Sequence, residues 1–445
     1  MSQPSGPPPG AASVATAAPA PPAVAPAAAG APPASITLVT PAPAAKPRRD
    51  TPHQLRLLNT GVILIGLIFA VVGALIFSYL AYSLHRAEAD TAQLIRVQQI
   101  QTNLLTADAT ATNAFLVGGL EPPAQRAAYD RAIAATGTLI AQAAEAQPAD
   151  ADALAALNEQ VVDYAATIEQ ARANNRQGFP VGAQYLRNAS AGLRADALPI
   201  LDNLVAANAE RAGGEMDASI GWVFLGVGVL VLGGLVAAQV WLARRFRRTI
   251  NAGLAVATAL ILVALVGGGI GLNALSNAVT SIKNGSFSSV TTSAKVRIEA
   301  YDAKSNESLT LIARGSGQAF EQAWNSFALR INDQLAVLPD SAGLQGSWAA
   351  YAAVPKQIRN LDDNGNWDRA VALATGTDAA SANSAFTAFD RAATSYLDAA
   401  SADTGRRLAG AQPGLVIGLI ALFLAGLGAA LAGRSGVAAR LKEYR

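Results

Sequence analysis

The densest polar chemistry in the chain lies between residues 171 and 190, ARANNRQGFPVGAQYLRNAS. Arg172, Asn174, Asn175, Arg176, Tyr185 and Arg187 gather guanidinium, amide and phenol groups around one turn, a set suited to carboxylates or to a partner protein's polar rim. The same residue types also make an ordinary solvated turn with asparagine caps, and both readings stand at this stage. A second polar run, KVRIEAYDAKSNESLTLIARGSG (295–317), carries Tyr301, Asp302, Lys304, Asn306, Glu307 and Arg314. These read as exposed faces with i,i+4 pairs, while Ser305 and Ser308 follow Ile298 and Tyr301 in a seam spacing that could bury them. Neither run makes an enzyme constellation. There is no Walker A, no HExxH, no GxSxG with a partner histidine and no kinase signature. The chain has no Cys and two His, His53 and His85. Thiolate zinc sites, iron–sulfur clusters and cysteine nucleophiles are excluded, and little is left for a histidine-based centre. The expectation is a non-enzyme with no cofactor, no metal and no nucleic-acid partner.

The composition points to a bilayer. Only 14% of the 445 residues are charged and 51% are hydrophobic, against a globular norm of about 25% charged. Four uncharged stretches are long enough to cross a membrane: 59–84, 220–243, 252–276 and 413–433. Their flanks are basic. Residues 1–58 hold Lys46, Arg48, Arg49 and Arg56 against Asp50. The 244–251 link holds Arg244, Arg245, Arg247 and Arg248. The 434–445 tail holds Arg434, Arg440, Lys442 and Arg445 against Glu443. The long segments are acidic by comparison, with 9 basic and 16 acidic residues in 85–219, and 12 and 13 in 277–412. The expected topology puts both termini and the basic link in the cytoplasm, where the patches meet anionic lipid or a cytoplasmic partner, and both large segments outside the cytoplasmic membrane. The first span doubles as the targeting signal. Residues 1–45 are uncharged and mostly Ala and Pro, so 1–58 reads as a disordered cytoplasmic tail. The twelve residues after 433 hold no output fold, so a signal would leave through another protein.

Helices must position the polar runs. Residues 74–117 contain no Gly or Pro, so a helix leaves span one unbroken and stops at Gly118-Gly119. Leu94, Val97, Gln101, Leu104, Asp108, Ala111 and Phe115 make a heptad-like seam along it. Further helices are expected at 122–147, 150–177 and 181–219, then, after a helix running through about 314, at 318–336, 341–361 and 366–410. The fold class is all-α: four transmembrane helices and two exterior four-helix bundles (85–219 and 277–412) in a duplicated span–bundle–span unit. Tyr164 with Ile168, and Tyr351 with Ile358, fall at similar places in the two third helices. Two such units form a built-in pseudo-dimer, with a further homodimer left open. Trp324, Trp348 and Trp367 read as core. In the spans, Gly267 with Gly271 and Gly414 with Gly418 read as GxxxG packing faces. Gly213 and Gly214, just before span two, are a candidate hinge.

The stretch ATATNAFLVGGLEPPAQRAAYDRAI (109–133) is similar to the opening of four-helix sensory domains of the chemoreceptor and CHASE3 type. The doubled plan, the Ala/Pro-rich start, AYDAKSNESLTLIARGSG and ANNRQGFPVGAQYLR together resemble GlnX-like membrane proteins of actinobacteria, over roughly residues 55–433. That resemblance implies a sensor that receives an amino-acid-loaded, GlnH-like solute-binding lipoprotein of the aspartate/glutamate type. It also implies relay to a cytoplasmic Ser/Thr kinase resembling protein kinase G, in control of nitrogen metabolism. A structural envelope scaffold and an accessory subunit of an amino-acid transport system are the alternatives.

Overall fold

The computed structural model describes residues 51–117, 121–217, 220–246 and 250–442. All regular structure among them is helical. The first half comprises α1 (Thr51–Val117), α2 (Pro123–Ala146), α3 (Ala151–Arg176), α4 (Val181–Gly192), α5 (Leu198–Met216) and α6 (Gly221–Phe246). The second comprises α7 (Ala252–Ile282), α8 (Ser288–Ile312), α9 (Gln318–Val337), α10 (Ala342–Asp363), α11 (Trp367–Thr375) and α12 (Ala382–Lys442). Residues 1–50, Arg247 and Arg248 lie outside the described residues, as do Gly118 and Gly119 where the first helix was expected to stop.

Four helices are long and apolar enough to cross a membrane, and their apolar stretches lie in α1, α6, α7 and α12. Large apolar side chains such as Leu64, Ile68, Leu230, Val263, Ile270 and Ile417 stand exposed on these stretches, as lipid-facing residues do. The disordered tail was expected to reach residue 58, but helix α1 already begins at Thr51. His53 to Thr60 contain no Gly or Pro, so nothing stops the helix from extending past the apolar core. The last expected helix, 366–410, is split. Gly376 ends α11, where an added Cβ would sit 2.7 Å from the Ala372 carbonyl oxygen, and Ser381 restarts the chain as α12 by accepting from Ser384 N–H at 3.3 Å.

The spans pack through small residues, but not all at the expected ones. A Cβ added at Gly426 of α12 would lie 2.6 Å from the Ala70 Cβ of α1, and one at Gly253 of α7 would lie 2.7 Å from the Gly436 nitrogen. Gly268 receives the Phe224 ring and Gly418 the Phe77 ring. Gly267, Gly271 and Gly414 meet nothing within 4 Å. A GxxxG spacing marks one helix face and not which way it turns. In α7 that face lies with exposed Val263, Val266 and Ile270, and the neighbouring Gly268 does the packing.

Beyond the spans, one continuous hydrophobic core joins both halves, from Val97, Leu104 and Leu157 to Val296, Trp348 and Phe389. One helix of each half lies at its centre. α1 is buried on nearly every side from Val97 to Ala114, and α8 is buried without interruption from Glu299 to Leu311. The run 295–317 was therefore misjudged: Asp302, Lys304, Asn306 and Glu307 are core residues, not an exposed face. Their charges match a solvated helix locally, and packing of α1 from the first half together with α9, α10 and α12 from the second makes them interior. Ser305 and Ser308 are buried, as their spacing allowed.

Candidate functional site

Two polar constructions stand out, one inside the helical domain and one at the tip away from the spans. The interior one begins at Asp108, a seam residue of α1 with no exposure. Its carboxylate accepts from Ser190 Oγ of α4 at 2.5 Å, from Ser305 Oγ of α8 at 2.6 Å, from Tyr164 Oη of α3 at 3.4 Å and from Arg194 Nη2 at 3.1 Å. Arg194 also donates from Nε to Asp302 Oδ1 at 2.8 Å and from Nη1 to the Ser190 carbonyl at 2.8 Å. One guanidinium thus ties α1 and α8 together, using the planar donor fork that lysine lacks.

Arg194 sits in a π-helical turn, Leu193–Ala197, joining α4 to α5. Pro199 follows that turn; it has no N–H and its ring crowds the carbonyl four residues back, which favours a local widening of the helix. The second half repeats the tyrosine–carboxylate contact with a different cation. Tyr351 of α10 donates to Glu307 Oε2 at 2.9 Å, and Lys304 Nζ lies 2.6 Å from Glu307 Oε1. Tyr164 and Tyr351, which fall at similar places in the sequence, therefore play matching parts.

Burial governs the protonation of these groups. Desolvation raises the Asp302 carboxyl above the usual range, and the neighbouring Arg194 charge and hydrogen bond only partly offset it. Desolvation raises the phenols of Tyr164 and Tyr351 well above the usual tyrosine value, with Asp108 and Glu307 respectively adding to the shift. Arg194 is raised because the attraction of Asp108 and Asp302 together outweighs its own desolvation.

Nearer the spans, Asp150 receives Gln93 Nε2 at 3.2 Å, Asn208 Nδ2 at 2.8 Å and the Arg211 guanidinium, fastening the α2–α3 turn to α1 and α5. Ser83 donates to Glu215 at 2.6 Å and Arg86 pairs with Glu215 at 3.1 Å just below.

At the tip, the structure divides the six residues of the expected recognition surface. Arg172 is buried. It stacks 4.0 Å over Tyr129 and pairs with Glu121 at 2.9 Å and Glu169 at 2.7 Å. Arg176 is exposed and makes no ion pair among the described residues. Asn174, Asn175, Tyr185 and Arg187 are partly exposed, with Arg187 donating to Gln184 at 2.6 Å. Arg126, Arg172, Asn175 and Arg176 line a cavity of 240 Å³ beside the end of α1. The turn itself, with Gly178 at φ +75°, holds Phe179 out at 52% exposure, next to exposed Val181. The tip is thus apolar at its point and basic around it.

Gly213 and Gly214 lie inside α5 with helical backbone, and the chain leaves the helix only after Met216. By contrast, α1 and α12 run through from domain to span without interruption, and α7 continues into α8 through the π-helical turn Lys283–Phe287. At the opposite end of the apolar helices, Arg244 and Arg245 end α6 beside a cavity lined by Trp241. Among the described residues no group of three or more His, Asp or Glu is placed to hold a metal. Sequence reasoning missed Arg194 altogether; Pro199, shortly downstream in Gly-Leu-Arg-Ala-Asp-Ala-Leu-Pro, was the one available sign of an irregular turn.

No curated protein and no solved structure matches the chain. A family model described as an actinobacterial sensor domain matches residues 83–217, the part that runs from the domain end of the first span to the end of α5 and contains Asp108, Arg194 and the tip. With four candidate membrane-spanning helices in the same chain, the match supports a multi-pass membrane protein with a sensory, signal-transducing role.

Proposed function

We propose that this protein is a transmembrane sensor whose helical domain lies outside the cytoplasmic membrane and relays a binding event through the spans. One observation carries the reading. α1 runs unbroken for 67 residues, from the first span to the buried seam where Asp108 meets Arg194 and Asp302. A rod of about 1.5 Å per residue transmits a shift or tilt at one end to the other. The match of 83–217 to a sensor domain supports the sensory part, and the basic residues flanking the spans support the orientation.

The receiving surface is the tip. Exposed Phe179 and Val181 with Arg176, Tyr185 and Arg187 give an apolar anchor and a polar rim, the composition of a protein-docking patch. The resemblance to GlnX-like proteins makes the partner a solute-binding lipoprotein loaded with aspartate or glutamate, and the effector a cytoplasmic Ser/Thr kinase reached through the Arg244–Arg248 link. The test uses the full chain in lipid nanodiscs and a purified binding protein of that class. Association that requires L-glutamate or L-aspartate, and that Phe179→Ala weakens at least tenfold, is expected. Association indifferent to the amino acid indicates a scaffold, and no association removes this partner.

A further inference from the structure

A second cavity, of 320 Å³, lies between α8, α9 and α10, outside the stretch matched by the sensor-domain model. This is the lower end of the size range of small-molecule sites. Its lining includes Glu307, Trp324, Lys356 and Arg359, with Glu321 and Asp363 at the rim.

The donors and acceptors in it do not balance. Trp324 is 7% exposed, and its Nε1–H finds no acceptor of hydrogen-bonding geometry among the described residues. The Tyr351 hydroxyl, which donates to Glu307, faces the indole N–H and is only a weak acceptor for it. Arg359 Nε is also buried without a hydrogen bond; Glu321 Oε2 stands 3.4 Å away. The other guanidinium nitrogens hold Asp362 at 2.6 Å and Asp363 at 2.5 Å. Lys356 is exposed on the same helix and makes no ion pair among the described residues. On the acceptor side, Glu307 is already engaged by Lys304 and Tyr351. Buried donors without acceptors are rare in folded proteins and call for an explanation.

We propose that this cavity binds a small carboxylate, whose two oxygens accept from Trp324 Nε1 and Arg359 Nε while Lys356 supplies charge at the mouth. Two separate single donors suit the two oxygens of a carboxylate. The acidic rim of Glu321 and Asp363 disfavours a more highly charged anion such as phosphate. The site is independent of the tip, so it gives the second half a ligand of its own. Because α8 continues into α7, occupancy bears on a span directly.

The test is calorimetric titration of the full chain in nanodiscs with acetate, succinate and glycine, against acetamide and succinamide as uncharged controls. Saturable binding of at least one carboxylate, with none of the amides, is expected. Trp324→Phe keeps the ring and removes the donor, and it should weaken binding at least tenfold. Lys356→Gln, at an exposed position that leaves the fold alone, should weaken it several-fold. Absence of carboxylate binding to the wild type, amides binding equally well, or Lys356→Gln binding like the wild type would each overturn the proposal.

Discussion

Replacing Arg194 by Met should leave Asp108 and Asp302 facing each other in the core without their shared cation. Asp108 has no exposure and the Asp302 side chain about 10%, against 25% for Arg194, so water replaces the guanidinium only in part. Removing one partner of a buried ion pair costs roughly 3–5 kcal/mol, most of it the penalty on the stranded charge. At about 2 °C per kcal/mol for a domain of this size, the unfolding temperature should fall by roughly 6–10 °C. The assay is thermal unfolding of the purified chain in nanodiscs, followed by far-ultraviolet circular dichroism. The triple variant Asp108→Asn/Arg194→Met/Asp302→Asn carries no charge at the seam and should recover much of the loss. An Arg194→Met protein that unfolds within a degree of the wild type, or a triple variant less stable than the single one, would refute the reasoning that the seam is held by this charge arrangement.

Three further outcomes are expected. Asp302 has a raised pKa, so the fold favours its protonated form; the stability it contributes is full below the ordinary carboxylate range and is lost as pH rises through the raised value. Asp302→Asn should therefore unfold above the wild type at neutral pH, with the gap closing as the pH is lowered into the carboxylate range, as read by paired unfolding curves. Gly426→Val should disrupt the α1–α12 crossing and cost about 1–3 kcal/mol, whereas Gly267→Val, in open space, should assemble normally; detergent-resistant folding distinguishes them. Gly213→Ala/Gly214→Ala should stabilise the chain by about 1–2 kcal/mol, because both positions are helical and a Cβ meets nothing closer than Lys283 Cε at 4.0 Å.

The parts of the fold that are local were legible in the sequence, and those that depend on the other half were not. Uncharged runs marked the spans, and the absence of Gly and Pro from 74 to 117 marked the rod. The alternating three- and four-residue spacing puts Asp108 on the buried seam. The run 295–317 defeated the same logic, because Lys304 and Glu307 three residues apart look alike on a wetted face and in a core. What buries them is α1, nearly two hundred residues earlier, together with α9 and α10 that follow, and no pattern within the run records those contacts. Arg172 was hidden for a similar reason: Tyr129 and Glu121 that enclose it lie on or before another helix. Arg194 depends on a widened turn that only Pro199 hinted at. For the glycines, spacing located a face without its direction, and neighbours such as Gly268 turned out to be the ones in contact.

The most direct test of the relay is whether a change confined to the seam moves the spans. The chain has no Cys, so spin labels can be placed at exposed Leu57 of α1 and Val240 of α6 without a background, and the distance between them measured by pulsed electron resonance in nanodiscs. With Arg194→Met in the same chain, kept below its unfolding temperature, the account predicts a shifted or newly split distance distribution. Superimposable distributions with and without Arg194 would contradict it.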